Sequence, residues 1–282
     1  MSPISASDVQ NRRLTNGFKL TRVGVTGVKK PVTVKRQGRT VTLTCATDVF
    51  VDLPSSQKGS HMSRNLEVIA EVVDESVRSP VKGVEILAAN ICKSLLERHE
   101  YASYSEANVR ADYFLERTGL SGRKTLEAYG LIAKAVNRRR NGLKKLIGVE
   151  VVGMTACPCA METIREEMQV GIAPGRGDVP TITHNQRNVT TVMIEVPEEY
   201  DVEANPTFEI LKRSEEAQVV RRAHENPKFV EDVVRDILAR VLEKYSFLPD
   251  DVIVTVRSES EESIHKHNAF AERVTSLREL RE

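Results

Sequence analysis

The 282-residue chain has almost no net charge: 41 lysines and arginines face 40 aspartates and glutamates, leaving +1. So close a balance supplies no field to draw nucleic acid or an acidic membrane surface, and neither is expected as a partner. No stretch approaches the ~20 apolar residues of a membrane span. The start, Met1-Ser-Pro-Ile-Ser-Ala-Ser7, lacks the basic-then-apolar order of a secretory signal. Cysteine is scarce: Cys45, Cys92, Cys157 and Cys159 do not make a disulfide framework for a chain of this length, and a reducing cytoplasm is the expected setting. The glycines of Gly171-Ile-Ala-Pro-Gly-Arg-Gly-Asp178 lack the order of a nucleotide-binding motif and read as a connector.

What is present is a regular alternation of strand and helix patterns. Residues 1–17 are polar and read as a loose arm, after which 18–150 and 151–282 form two halves. Val/Thr-rich segments 20–28, 31–36 and 40–51 read as strands parted by Gly and Pro. Helical spacing runs from Leu66 to Val73 and again over 81–100, where Val84, Leu87, Ala88, Ile91, Leu95 and Leu96 recur. Strands at 101–117 and 125–137 follow, the second ambiguous with helix. Arg138-Arg-Arg-Asn-Gly-Leu-Lys-Lys145 reads as a solvated basic turn. The second half reads as strand 147–156, short helix 160–169, strand 189–196, a helical start at 207–214, an amphipathic helix at 227–245 and strands at 251–257 and 265–271. The face of the 227–245 helix is Val230, Val233, Val234, Ile237, Leu238, Val241 and Leu242. A duplicated β-β-α-α-β-β unit gives this order, an α+β fold with helices on one face of an antiparallel sheet. Such a sheet leaves edges. Copies closing on one another into a barrel cover them, which predicts a homo-oligomer with sites near subunit junctions.

The chemistry concentrates in Thr155-Ala-Cys-Pro-Cys159, Thr183-His-Asn-Gln-Arg187 and the pair His265 and His267. Thiol and imidazole donors spread over a chain in this way point to one metal site assembled by folding, with a position left open. Cys157 and Cys159 stand too close to clip one ion together, so one thiolate, Cys157, is chosen as the ligand. Cys159 faces either the pocket or the core. If 264–268 is extended, His265 and His267 share one sheet face, one free to bind metal while the other moves protons. Asn185, Gln186 and Arg187 can orient His184 and bind anions. Lys58, His61 and Arg64 stand at a helix start, where they either hold phosphates or merely cap and solvate it. Cys45 and Cys92 read as buried small hydrophobes, and His99 and His224 as surface histidines.

Six ordered stretches together resemble the signatures of the type IB GTP cyclohydrolases over about residues 20–272. They are Lys58-Gly-Ser-His-Met-Ser-Arg64, Thr155-Ala-Cys-Pro-Cys159, Thr183-His-Asn-Gln-Arg187, Leu211-Lys-Arg213, Asn226-Pro-Lys-Phe-Val-Glu-Asp232 and Glu262-Ser-Ile-His-Lys-His267. Details around Val152–Cys159 and Pro206–Arg213 resemble the archaeal methanopterin-pathway branch more than the bacterial folate-pathway one. The resemblance implies a tunnelling fold, a homotetramer, GTP as substrate and one divalent metal per subunit, Fe(II) in the archaeal type, with Mn(II) or Zn(II) as alternatives. It implies hydrolytic opening of the guanine imidazole ring at C8 with loss of formate. The implied archaeal product is 7,8-dihydroneopterin 2′,3′-cyclic phosphate, formed with diphosphate. Carried over by position, Cys157, His184, His267 and Glu209 are the implied metal ligands. His265 is the implied proton donor or acceptor; Cys159 is a candidate beside the reaction, and Lys58, His61, Arg64 and Arg187 are candidates to bind substrate by charge and position. Where the family has a second glutamate, just before Ala223-His224, this chain carries Arg221 and Arg222.

Overall fold

A computed structural model describes residues 17–36, 39–118, 124–169, 182–200 and 216–282. The arm up to residue 16, the connector at 171–178, the helical start at 207–214 and Glu209 lie outside these residues. Fourteen elements follow one another. They are β1 Leu20–Arg36, β2 Arg39–Leu53, α1 Met62–Arg78, α2 Val84–Arg98, β3 Tyr104–Thr118, β4 Lys124–Arg138, β5 Gly142–Ala156, α3 Pro158–Gln169, β6 Asn185–Glu195, α4 Glu216–Glu225, α5 Val230–Lys244, β7 Ile253–Glu261, β8 Ala269–Ser276 and α6 Leu277–Arg281. The eight strands form one sheet in sequence order, and neighbours such as β1/β2 and β6/β7 run antiparallel. Among the described residues no helix is long and apolar enough to cross a membrane. The chain divides into two compact units: residues 1–112 with 131–147 and 195–199, and residues 113–130 with 148–194 and 200–282.

In the first unit, β2 buries alternate residues, Leu43, Cys45, Val49 and Val51 among them, as a strand with one covered face must. Helices α1 and α2 pack on β1 and β2 through Val68, Ile69, Leu87, Ile91 and Leu95, all fully buried. Each such side chain stabilises the fold by ~1.5–3 kcal/mol. The expected break between 28 and 31 is absent. β1 instead bulges between Val25 and Val28, where Gly27 takes φ +70° and donates its N–H to Asp48 Oδ1 at 2.7 Å. Pro31 is accommodated because β1 is an edge strand, with a side that needs no donor. The basic run is shorter as a turn than expected, since β5 begins at Gly142. Arg139 is exposed, as expected of the run, and its guanidinium also donates to the carbonyls of Leu96 at 2.6 Å and Ala102 at 2.7 Å. That satisfies acceptors left over at the end of α2.

In the second unit, α5 lies on β7 and β8, and Val230, Val233, Val234, Ile237 and Val241 are buried as its periodicity predicts. Glu231 and Asp232 in its first turn and Lys244 in its last suit the helix dipole. The last strand falls at 269–276 rather than 265–271, so His265 and His267 sit in a bent connection between β7 and β8, not on a strand. Helix α6 was not foreseen. It buries Leu277 completely, and Arg281 donates to the carbonyls of Ser246 and Leu248 at 2.8 and 2.9 Å.

Candidate functional site

The second unit gathers its polar residues where β5 ends, β6 begins and β7 ends. Toward that end the buried face of the sheet changes from apolar to polar. Val254 and Val256 give way to Ser258 and Ser260, which are equally buried. Thr190 and Ser258 share a hydrogen bond of 2.8 Å. Asn188 donates to Thr155 Oγ1 at 2.5 Å and accepts from Ser260 Oγ. Asn188 pairs with Ser260 and Arg187 with Glu261, which brings the start of β6 beside the end of β7. Side chains two apart on a strand share a face, which places Gln186 on the polar face with Asn188. Among the described residues no group donates to the buried Gln186 Oε1 atom.

The chain around His184 is pinned by backbone bonds. The Cys157 N–H donates to the His184 carbonyl at 3.0 Å, and Thr183 Oγ1 donates to the Cys157 carbonyl at 2.8 Å. Pro158 opens α3 at a position where its missing N–H costs nothing, leaving Cys157 half-buried and Cys159 exposed on the first turn. The Lys228 N–H donates to the Ala156 carbonyl at 3.1 Å. His224 is half-buried rather than a free surface residue, its Nδ1 2.8 Å from the Val220 carbonyl and its Nε2 3.3 Å from the Thr183 carbonyl.

On this frame three side chains converge. One ligand atom from each of His184, Glu262 and His265 lies within 4.8 Å of the others. His184 Nδ1 is 3.9 Å from Glu262 Oε2, with both side chains about nine-tenths buried, and 3.3 Å from Ser263 Oγ. The His184 and His265 rings meet edge to face with centroids 6.0 Å apart. His267 stacks on His265 at 5.3 Å and 21° and stands outside the three-donor group, as does Cys157. The geometry therefore brings in His265 where His267 was expected, and adds Glu262, which the motif contained but which had no assigned role. Two imidazoles and one carboxylate with further positions open are a donor set that suits Fe(II), so the residues present fit a divalent metal. Arg187 lies half-exposed within 3.7 Å of Glu261.

Lys58, His61 and Arg64 belong to the first unit. His61 is the residue preceding α1, gives that helix no side-chain cap, and no acidic residue occupies its first turn. Arg64 Nη1 donates to the Arg98 carbonyl at 3.1 Å. His99, expected on the surface, is instead completely buried. Burial, aided by the nearby charges of Arg64 and His61, pushes its pKa down to about 4. The two cysteines expected in the core are there: burial raises Cys45 to about 11 and Cys92 to about 12, so both thiols stay protonated and unreactive.

The chain as a whole has known relatives. The family described as type I GTP cyclohydrolase folE2 matches residues 6–271, and the chain belongs to that family of enzymes. Among individual relatives, the chain is 42% identical to the GTP cyclohydrolase MptA of Methanosphaera stadtmanae, with 98% of this chain and 96% of that protein covered. It is 42% identical to MptA of Methanothermobacter thermautotrophicus, over 100% and 96%, and 43% identical to MptA of Methanococcus maripaludis, over 99% and 98%. Solved structures with a similar chain path include the uricase from Arthrobacter globiformis, at a TM-score of 0.46 and 8% identity over 94% of this chain and 95% of that one. Another is the urate oxidase from Bacillus sp. TB-90, at 0.46 and 11% over 91% and 100%.

Proposed function

We propose that the protein is a metal-dependent GTP cyclohydrolase of the type IB, methanopterin-pathway kind. It opens the imidazole ring of GTP at C8, releases formate and diphosphate, and yields 7,8-dihydroneopterin 2′,3′-cyclic phosphate. The observation that carries this reading is the convergence of His184, Glu262 and His265 in a chain of this family. The relatives named MptA at 42–43% identity support the pathway.

His184, Glu262 and His265 would hold the ion, Fe(II) by the donor chemistry, with Mn(II) or Zn(II) able to use the same set. Cys157 is proposed as a further donor, because its backbone bond to His184 keeps the two residues together. Glu209 is proposed from sequence alone. When bound, the metal lowers the pKa of water so that a nucleophile for the weakly electrophilic purine C8 exists near neutral pH. His267, stacked beside the donor group, would move a proton to or from a ring nitrogen of the base. The Gln186 oxygen, without a donor among the described residues, accepts from an N–H or O–H at the same place. In the second unit Arg187 is proposed to supply positive charge for a phosphate and Cys159 to line the approach; in the first unit Lys58, His61 and Arg64 are proposed, from sequence alone, as phosphate binders. Tandem units closing into barrels in a cytoplasmic homotetramer cover the sheet edges, the outcome expected of an open sheet.

The test is anaerobic incubation of Fe(II)-reconstituted protein with GTP, followed by formate assay and product mass. Formate with a cyclic monophosphate is expected. A triphosphate product places the protein on the folate side of the family. No formate with Fe(II), Mn(II) or Zn(II) rejects the catalytic reading.

A further inference from the structure

The stretch Lys58–Arg64 is anchored from beneath by a buried chain of hydrogen bonds. Ser60 Oγ is 2.9 Å from Tyr101 Oη, Tyr101 Oη is 2.8 Å from His99 Nδ1, and His99 Nε2 is 2.7 Å from Asn65 Oδ1. Asn65 and His99 are completely buried, and Ser60 is 6% exposed. With the Asn65 amide nitrogen turned to Met62 Sδ at 3.7 Å, its oxygen accepts from His99 Nε2–H. A neutral imidazole then has Nδ1 as an acceptor, which takes the Tyr101 proton. The Tyr101 oxygen in turn accepts from Ser60 Oγ–H, so one phenol oxygen ties down the residue two before α1. Gln57 adds a bond to the Gly59 carbonyl at 2.9 Å.

We infer that Tyr101 and His99 are positioning residues for substrate binding, which fix the chain at Ser60 so that Lys58, His61 and Arg64 meet the triphosphate in one conformation. This rests on the proposed role of Lys58, His61 and Arg64 in holding phosphates. The relay touches no substrate atom. It acts by removing the conformational freedom the loop would otherwise lose on binding, so its deletion weakens binding more than turnover.

Tyr101→Phe removes one oxygen and keeps the ring, and Ser60→Ala cuts the same link from the other side. Metal-loaded full-length enzyme is assayed for KM and kcat with GTP, for inhibition by inorganic tripolyphosphate, for bound metal and for Tm. Both variants are expected to raise KM and the tripolyphosphate Ki about fivefold or more, with kcat within about twofold and metal content unchanged. Unchanged KM and Ki in both variants, whatever happens to Tm, overturn the inference. Lys58→Ala separates the causes. If Lys58→Ala raises Ki while Tyr101→Phe does not, the positioning role alone fails. If neither does, the phosphate-binding reading fails with it.

Discussion

A single buried histidine in the first unit and a group of three in the second show what environment does to the same side chain. His99 in the first unit is fully buried, and both ring nitrogens are engaged, by Tyr101 and Asn65. Its chemistry is spent on holding structure. His184, His265 and His267 in the second unit lie at a rim, two of them exposed, and meet one another through rings and a carboxylate rather than through saturating hydrogen bonds. The donors of a satisfied histidine are unavailable to a ligand. Those of the rim cluster are poised for one.

The comparison breaks most sharply under substitution of the rim. Glu262→Gln, His184→Asn or His265→Asn should each abolish stoichiometric metal binding and lower kcat/KM by roughly 10²-fold or more. His267→Asn should lower kcat by a comparable ~10²-fold while metal stays bound. Metal analysis beside steady-state kinetics checks both, and metal loss in His267→Asn with retention in His265→Asn would reverse the two roles. The cysteines give a second, smaller contrast. Cys157→Ser should weaken metal retention. Cys92→Ala should leave it intact and cost ~1–2 kcal/mol of stability, because it removes a packed thiol bonded to the Ala135 carbonyl. Equal metal loss in both variants would contradict the assignment.

The buried histidine predicts the mildest effect, a pH dependence of stability. Its folded pKa of about 4 lies below the ordinary value near 6.5. Between those values the unfolded chain binds a proton that the folded chain refuses. The His99 contribution is therefore complete above pH ~6.5, declines as pH falls toward ~4, and levels off below. Denaturant titrations across that window should show the slope in the native protein and a flatter one in His99→Gln. An identical slope in the variant would assign the effect to other groups.

These contrasts also mark what the sequence could reveal. The apolar face of α5 was legible because a 3.6-residue period repeats over four turns and the core enforces it. Strands were legible where Val and Thr cluster, as over 40–51, which falls within β2 at Arg39–Leu53. His99 was misread because its neighbours Arg98 and Glu100 are charged, and at a helix end the chain turns so that adjacent residues face opposite ways. Glu262 was overlooked because the last strand was placed four residues early. That treated His265 and His267 as alternating strand positions, whereas a bend brings them together by ring stacking. β1 shows the converse. Gly27 and Pro31 read as breaks, yet ladder pairing with β2 continues past a bulge that local propensity does not reveal. The donor group depends on two distant segments meeting, the entry to β6 and the exit from β7, and that information is in the pairing of β6 with β7.

The most direct measurement is anomalous diffraction from crystals of the protein loaded with Mn(II) or Zn(II). The account predicts one peak per subunit, within coordination distance of His184, Glu262 and His265. A peak elsewhere, or an ion held without Glu262 and His265, would contradict it.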